Sequence, residues 1–127
     1  MICVDTSVWI EALRTRTSRE ATELFRLLDR DEVVLAAPVR IEILSGTRPR
    51  DYANIRRVLT ALPVLIPTPA TWQRIDEWID PTVRAGDRFG VADLLIAAIA
   101  AENDALLWSK DSDFDRMAAL GFIRLHR

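Results

Sequence analysis

The sequence predicts an α/β fold: a three-layer arrangement in which a central, mostly parallel sheet of about five strands carries helices on both faces. Three observations carry that expectation. Short apolar runs alternate with amphipathic helical stretches, as parallel strands joined by helical crossovers do. Those runs are continuous rather than alternating, which fits strands covered on both sides. The 127 residues contain no linker, repeat or low-complexity stretch, so residues 1–127 form a single domain.

Residues 2–5 are a short apolar run ending in Asp5, read as the first strand. Thr6 or Ser7 is placed to cap a helix through Leu13. Thr17, Ser18, Arg19 and Glu20 have capping-box spacing, and behind them Ala21, Leu24, Phe25 and Leu28 put one apolar stripe on a helix. Residues 33–37 read as a buried strand. Pro38 suits the first turn of the next helix, and Gly46 followed by Pro49 closes it. Ile55, Val58, Leu59 and Leu62 repeat the helical stripe up to Pro63, and 64–66 is a third strand bounded by Pro67. Thr68 or Thr71 opens a helix with Trp72, Ile75, Trp78 and Ile79 along it. Trp72, Ile75, Ile79 and Trp108 are expected in the core. Gly86 and Gly90 bracket a loop. Residues 91–103 are apolar on nearly every face, which predicts a buried helix. A strand at 106–108, a helix over 111–120 stopped by Gly121 and a last strand at 122–125 complete the chain.

Composition excludes several classes. Half of the residues are apolar and 28% are charged, a globular balance rather than a disordered one. A formal net charge of −2 excludes a uniformly cationic, nucleic-acid-like coat. The basic set is nevertheless sixteen arginines and one lysine, Lys110. Arginine grips phosphates and carboxylates bidentately, and the clusters around Arg14 and Arg16, Arg48 and Arg56, and Arg84 and Arg88 can form local basic rims. The longest uncharged apolar run, 94–101, is too short to span a bilayer, and the N-terminus lacks the pattern of a signal peptide. A cytoplasmic protein without membrane contact is expected. A single cysteine leaves no intramolecular disulfide and no Cys-rich zinc site. Cys3 lies within a strand and reads as a small core residue. The lone histidine, His126, sits at a terminus expected to fray, which argues against histidine acid–base chemistry.

The chemistry is expected among four carboxylates. Asp5 follows the first strand and Asp111 follows the strand at 106–108, so both belong to the edge where parallel sheets collect ligands. Asp93 opens the buried helix. Glu42 falls in helical register with Val39, Ile43 and Gly46, on a core-leaning stripe where a glutamate is out of place. Each has a structural reading of its own: Asp5 or Asp111 as a helix cap, Asp93 as a partner of the helix dipole, Glu42 as half of an ion pair. Four acids at one edge repel, and partial burial makes their ionised forms costly. Protonation, arginine or a divalent cation relieves that. An all-oxygen set suits Mg²⁺ or Mn²⁺ rather than zinc, and its charge of −4 leaves room for one or two ions. Such a site suits phosphodiester hydrolysis by activated water.

Four ordered motifs carry a resemblance over the whole chain: Asp5-Thr6-Ser7-Val8-Trp9-Ile10-Glu11, Glu42-Ile43-Leu44-Ser45-Gly46, Asp93-Leu94-Leu95-Ile96-Ala97-Ala98, and Ser109-Lys110-Asp111-Ser112-Asp113-Phe114. Together they resemble the PIN-domain ribonucleases, in particular the VapC-type toxins of bacterial toxin–antitoxin pairs. The resemblance implies a PIN fold and Mg²⁺- or Mn²⁺-dependent endonucleolytic cleavage of RNA, transfer RNA among its targets, with arrest of translation and growth. It implies metal-binding acids at Asp5, Glu42, Asp93 and Asp111, with Asp113 as the alternative in the last motif. Ser109 stands where the family carries a supporting hydroxyl, and Thr6 and Ser7 are placed either to cap the helix or to orient the acids. A VapB-like antitoxin is the implied partner, with homodimers and larger assemblies alongside it. Trp9, Leu24, Phe25 and Leu28 belong to two early helices that form the antitoxin groove in such proteins, although their pattern alone reads as core. Arg14, Arg16, Arg88 and Lys110 flank the acidic motifs and are candidate RNA phosphate contacts, or simply solvated charges.

Two other readings fit the same shape. A phosphoacceptor receiver domain shares the alternation of strands and helices, but it needs an acid after the third strand, where Ile66 is followed by Pro67. A catalytically inactive PIN-like module acting only through its partner is the other, and the presence of all four acids counts against it.

Overall fold

In a computed structural model describing residues 1–127, the chain forms four strands and seven helices. Strand β1 (Ile2–Val4) leads into α1 (Thr6–Arg14) and α2 (Arg19–Asp29); β2 (Val33–Ala36) leads into α3 (Ala37–Ser45) and α4 (Pro49–Thr60). After β3 (Val64–Leu65) come α5 (Pro69–Arg84), α6 (Val91–Glu102), β4 (Leu106–Trp108) and α7 (Ser112–Ala119). The sheet order is β3-β2-β1-β4 and every pairing is parallel.

Burial explains why these short runs become strands. Successive side chains of a strand point to opposite faces. Every residue of β1 and β2 is buried, so helices cover both sides. Fully enclosed Leu35 and Leu107 anchor the centre, where cutting a leucine back to alanine costs about 2–5 kcal/mol. Local signals agree. Ser18 caps α2 by accepting a hydrogen bond from the Ala21 amide at 3.1 Å, one residue later than the capping-box spacing suggests. Thr68 and Thr71 form a reciprocal capping box on α5. Gly86 and Gly121 take positive φ directly after the C-caps of α5 and α7, a conformation glycine adopts without strain.

Four expectations need correction. The last strand, 122–125, contributes only one bridge, between Leu107 and Leu125, so the sheet has four strands and an added edge contact rather than five strands. His126 does not fray: its amide donates to the Leu107 carbonyl at 2.9 Å and its side chain is largely covered. Trp72 and Ile79 are 50% and 43% exposed, because α5 turns only the Ile75 and Trp78 side inward; Trp78 stacks on Phe122 with centroids 4.4 Å apart. Helix α6 is buried at Leu94 and from Ile96 to Ala100, while Val91 at its start is exposed.

The strand order also locates a crevice. The first two crossovers carry the chain outward from β1 to β2 to β3, and the next connection returns it to the other side of β1 as β4. Winding reverses between β1 and β4, and open parallel sheets bind ligands at the carboxyl ends of the strands at such a reversal.

Candidate metal centre

Asp5 lies one residue past β1 and is buried to 5% exposure. Its carboxylate is held by residues from both sides of the crevice. The hydroxyls of Ser7 and Ser109 donate to Asp5 Oδ2 at 2.9 and 2.8 Å and lie 3.2 Å from each other. Each serine oxygen in turn accepts a backbone amide, Lys110 N–H onto Ser7 at 3.0 Å and Asp111 N–H onto Ser109 at 2.9 Å. Amide, hydroxyl and carboxylate thus form two polarised chains converging on one oxygen, each bond strengthening the next. The Asp5 amide donates to the Trp108 carbonyl at 2.8 Å, which clips the ends of β1 and β4 together. Oδ1 of Asp5 is left uncommitted.

Asp93 occupies the first turn of α6. The helix dipole at this position favours a charged carboxylate. Burial outweighs it, and repulsion from Asp111, Asp5, Asp113 and Glu42 adds to the effect, so the carboxyl is pushed up to about 6. Three separate segments, the end of β1, α3 and the start of α7, therefore bring four acids within electrostatic reach of one side chain. Carboxylate oxygens of Asp93, Asp111 and Asp113 lie within 4.8 Å of one another, close enough to share an ion. Asp111 also caps α7 by accepting the Asp113 amide at 2.9 Å, so its capping and clustering readings hold together.

A match to known proteins follows from this arrangement. The sequence profile described as the PIN domain matches residues 2–120. Ribonuclease VapC11 of Mycobacterium tuberculosis is 32% identical over 133 residues, covering 94% of this chain and 93% of that protein. The chain belongs to the PIN-domain family, among VapC-type members. Among solved structures, the PIN domain resembles a chain of the VapBC2 complex from Rickettsia felis bound to a promoter DNA fragment, at a TM-score of 0.81 and 19% identity over 99% of this chain and 98% of that one. It also resembles a chain of DNA-bound VapBC from Salmonella typhimurium, at 0.81 and 18% over 98% and 96%. At those identities the likeness is one of fold.

The remaining sequence candidates divide. Glu42 is exposed rather than core-leaning, because α3 turns Val39 and Ile43 inward and Glu42 outward; Thr6 Oγ1 donates to its Oε1 at 3.0 Å. Glu42 still shares a groove of about 510 Å³ with Arg14, Arg16 and Arg48. Arg14 also lies 3.9 Å from Glu11, and Arg88 is exposed. Lys110 is already partnered, its Nζ 3.0 Å from Glu20 Oε1, so it is not a free cation at the site. Trp9 and Leu24 are 1% and 0% exposed and belong to the core, which removes them from any groove; Phe25 and Leu28 keep accessible surface. His126 Nε2 bonds Glu23 at 3.2 Å, rather than any clustered acid. Burial raises the Cys3 thiol to about 12 despite an opposing backbone hydrogen bond at Ala36, which rules it out as a nucleophile.

Sequence reasoning missed Arg116. It pairs with Asp113 and reaches toward Asp87, with Nε 3.6 Å from Asp87 Oδ1. The signal was present as an acid and an arginine three residues apart on a foreseen helix.

Proposed function

We propose that this PIN domain is the toxin of a toxin–antitoxin pair, a Mg²⁺- or Mn²⁺-dependent endoribonuclease that hydrolyses RNA in the cytoplasm and so stops translation and growth. The convergence of Asp5, Glu42, Asp111 and Asp113 on Asp93 carries the reading. Its donors are all oxygens, the set that hard divalent ions take. Asp5, Asp93 and Asp111 would hold the ion, with Asp113 beside them and Glu42 along the adjoining groove. A divalent ion bound there lowers the pKa of water toward neutrality and offsets charge on a phosphoryl oxygen.

The protein's own residues do the rest. Ser7 and Ser109 fix Asp5 by one oxygen and leave the other for the ion. Asp93 would give up its proton to a bound cation, because that charge offsets the burial and the repulsion that together raise its affinity for the proton. Arg14, Arg16 and Arg48, along the groove that contains Glu42, are placed to meet the phosphates of the RNA strand, with Arg88 a further contact. Such contacts position a backbone without reading its sequence. A VapB-like antitoxin is the partner in this reading, engaging the surface that includes Phe25 and Leu28, and the toxin forms homodimers and larger assemblies with it.

End-group analysis of the cleaved RNA tests the proposal. Attack by water leaves a 5′-phosphate and a 3′-hydroxyl, produced with Mg²⁺ or Mn²⁺ and abolished by a chelator. A 2′,3′-cyclic phosphate, or cleavage that persists in the chelator, overturns it. Sequencing of RNA 5′ ends after brief induction identifies the target, with transfer RNA the expected class.

A further inference from the structure

Among the five clustered acids, Asp113 alone has a cation of its own. Arg116 lies one turn further along α7, and its Nη2 pairs with Asp113 Oδ1. The guanidinium is braced from elsewhere: its Nε is 3.6 Å from Asp87 Oδ1, and its Cζ is 5.6 Å from the centre of the Phe89 ring. Phe89 is 8% exposed, so the ring is a fixed platform. Asp87 and Phe89 both belong to the loop between α5 and α6, directly before the helix that carries Asp93.

From this geometry we propose that Arg116 is a positioning residue that serves as the site's resident counter-ion: it occupies Asp113 and holds the PIN domain to one divalent ion. The inference rests on the metal-dependent reading above. Two-ion phosphodiester sites place their metals about 3.5–4 Å apart and share carboxylates between them. Asp93, Asp111 and Asp113 have the spacing to do so. A second ion would have to share Asp113, whose Oδ1 already accepts from a guanidinium that does not deprotonate, which leaves it only Oδ2. The second ion would also meet the positive charge of Arg116. Charge balance agrees: five carboxylates, one arginine and one divalent ion leave −2, which the arginines of the groove offset.

Titration of the full chain with Mn²⁺ alone, followed by calorimetry and by the electron paramagnetic resonance of bound Mn²⁺, tests this without reference to cleavage. The wild-type chain is expected to take up one ion and Arg116→Gln two, with spin coupling between them. Arg116→Lys keeps a cation and is expected to stay at one. Two ions in the wild type overturn the proposal whatever the variants do, and so does a single ion in Arg116→Gln. Uptake of one ion by the wild type, lost in Asp93→Asn, upholds the metal centre even if the Arg116 result goes the other way. No uptake by the wild type removes both. Half of the Arg116 side chain is exposed, so folding is expected to survive its replacement.

Discussion

Asp5 and Asp93 reach the same acidic region from different elements, one just past β1 and the other in the first turn of α6. Asp5 is the more deeply buried, yet two hydroxyl donors hold one of its oxygens, each backed by a backbone amide. Asp93 is partly open to solvent, but burial and four acidic neighbours outweigh the helix dipole and raise its carboxyl to about 6. Burial alone therefore does not decide how an acid behaves. Donors supplied by the fold make Asp5 a settled member of the architecture. Asp93 is left with unfavourable electrostatics that a cation relieves. In the proposed metal centre the two acids divide the work, Asp5 fixing geometry and Asp93 supplying the drive to bind.

The harshest way to break this comparison is to neutralise either acid. Asp5→Asn and Asp93→Asn are each expected to reduce RNA cleavage by more than about 100-fold, beyond the usual effect of residues that only orient a ligand. Single-turnover cleavage measures this, and either variant retaining wild-type rates removes the assignment. Next come the donors. Ser7→Ala and Ser109→Ala are each expected to weaken Mn²⁺ affinity or cleavage by about 10–100-fold. Because both serines bond the same oxygen, the double variant is expected to lose less than the product of the single losses. A multiplicative loss in the double-variant cycle means that the two chains act independently.

Much of this division was legible in the sequence. Strand ends and helix starts follow from apolar runs and capping signals, so Asp5 falls just past β1, Asp93 in the first turn of α6 and Asp111 at the start of α7, as those signals indicate. Glu42 was misjudged because its register with Val39 and Ile43 did not settle which side of α3 faced inward; the outward turn is fixed by how α3 packs on α1 and α6. Trp72 failed similarly, since α5 turns Thr71, Ile75, Trp78 and Thr82 inward and leaves Trp72 outside that face. Periodicity finds a stripe, but tertiary packing decides how wide the buried part is. Arg116 and the Lys110–Glu20 pair went unseen for another reason: the Asp113–Arg116 spacing is local, but the contacts to Asp87 and Glu20 join residues distant in sequence, which no local pattern announces.

A gentler test uses stability. The Asp93 carboxyl is raised from 3.8 to about 6 on folding, so the folded state holds its proton more tightly. The associated stability is fully present below pH 3.8 and is lost as pH rises through about 6. In chelator at pH 7, Asp93→Asn is therefore expected to be more stable than the wild type, by about 1 kcal/mol once solvent screening is allowed for. Near pH 4 the advantage vanishes, and Mn²⁺ at pH 7 reverses it by stabilising only the wild type. Urea unfolding at the two pH values measures this. An asparagine variant that is less stable at pH 7 in chelator means that Asp93 is not under electrostatic strain.

The smallest effect is expected where donor and acid are both near solvent. Thr6 donates to Glu42 as Ser7 donates to Asp5, but in an exposed setting where water competes for the same oxygen. Thr6→Ala is accordingly expected to lower cleavage by less than about 10-fold, below either serine variant. It is expected to leave folding unchanged, because alanine suits the first turn of α1 at least as well as threonine. If Thr6→Ala instead matches Ser109→Ala in single-turnover cleavage, burial of the donor is not what ranks these hydroxyls. Glu42 would then share the demand for fixed geometry that is ascribed here to Asp5.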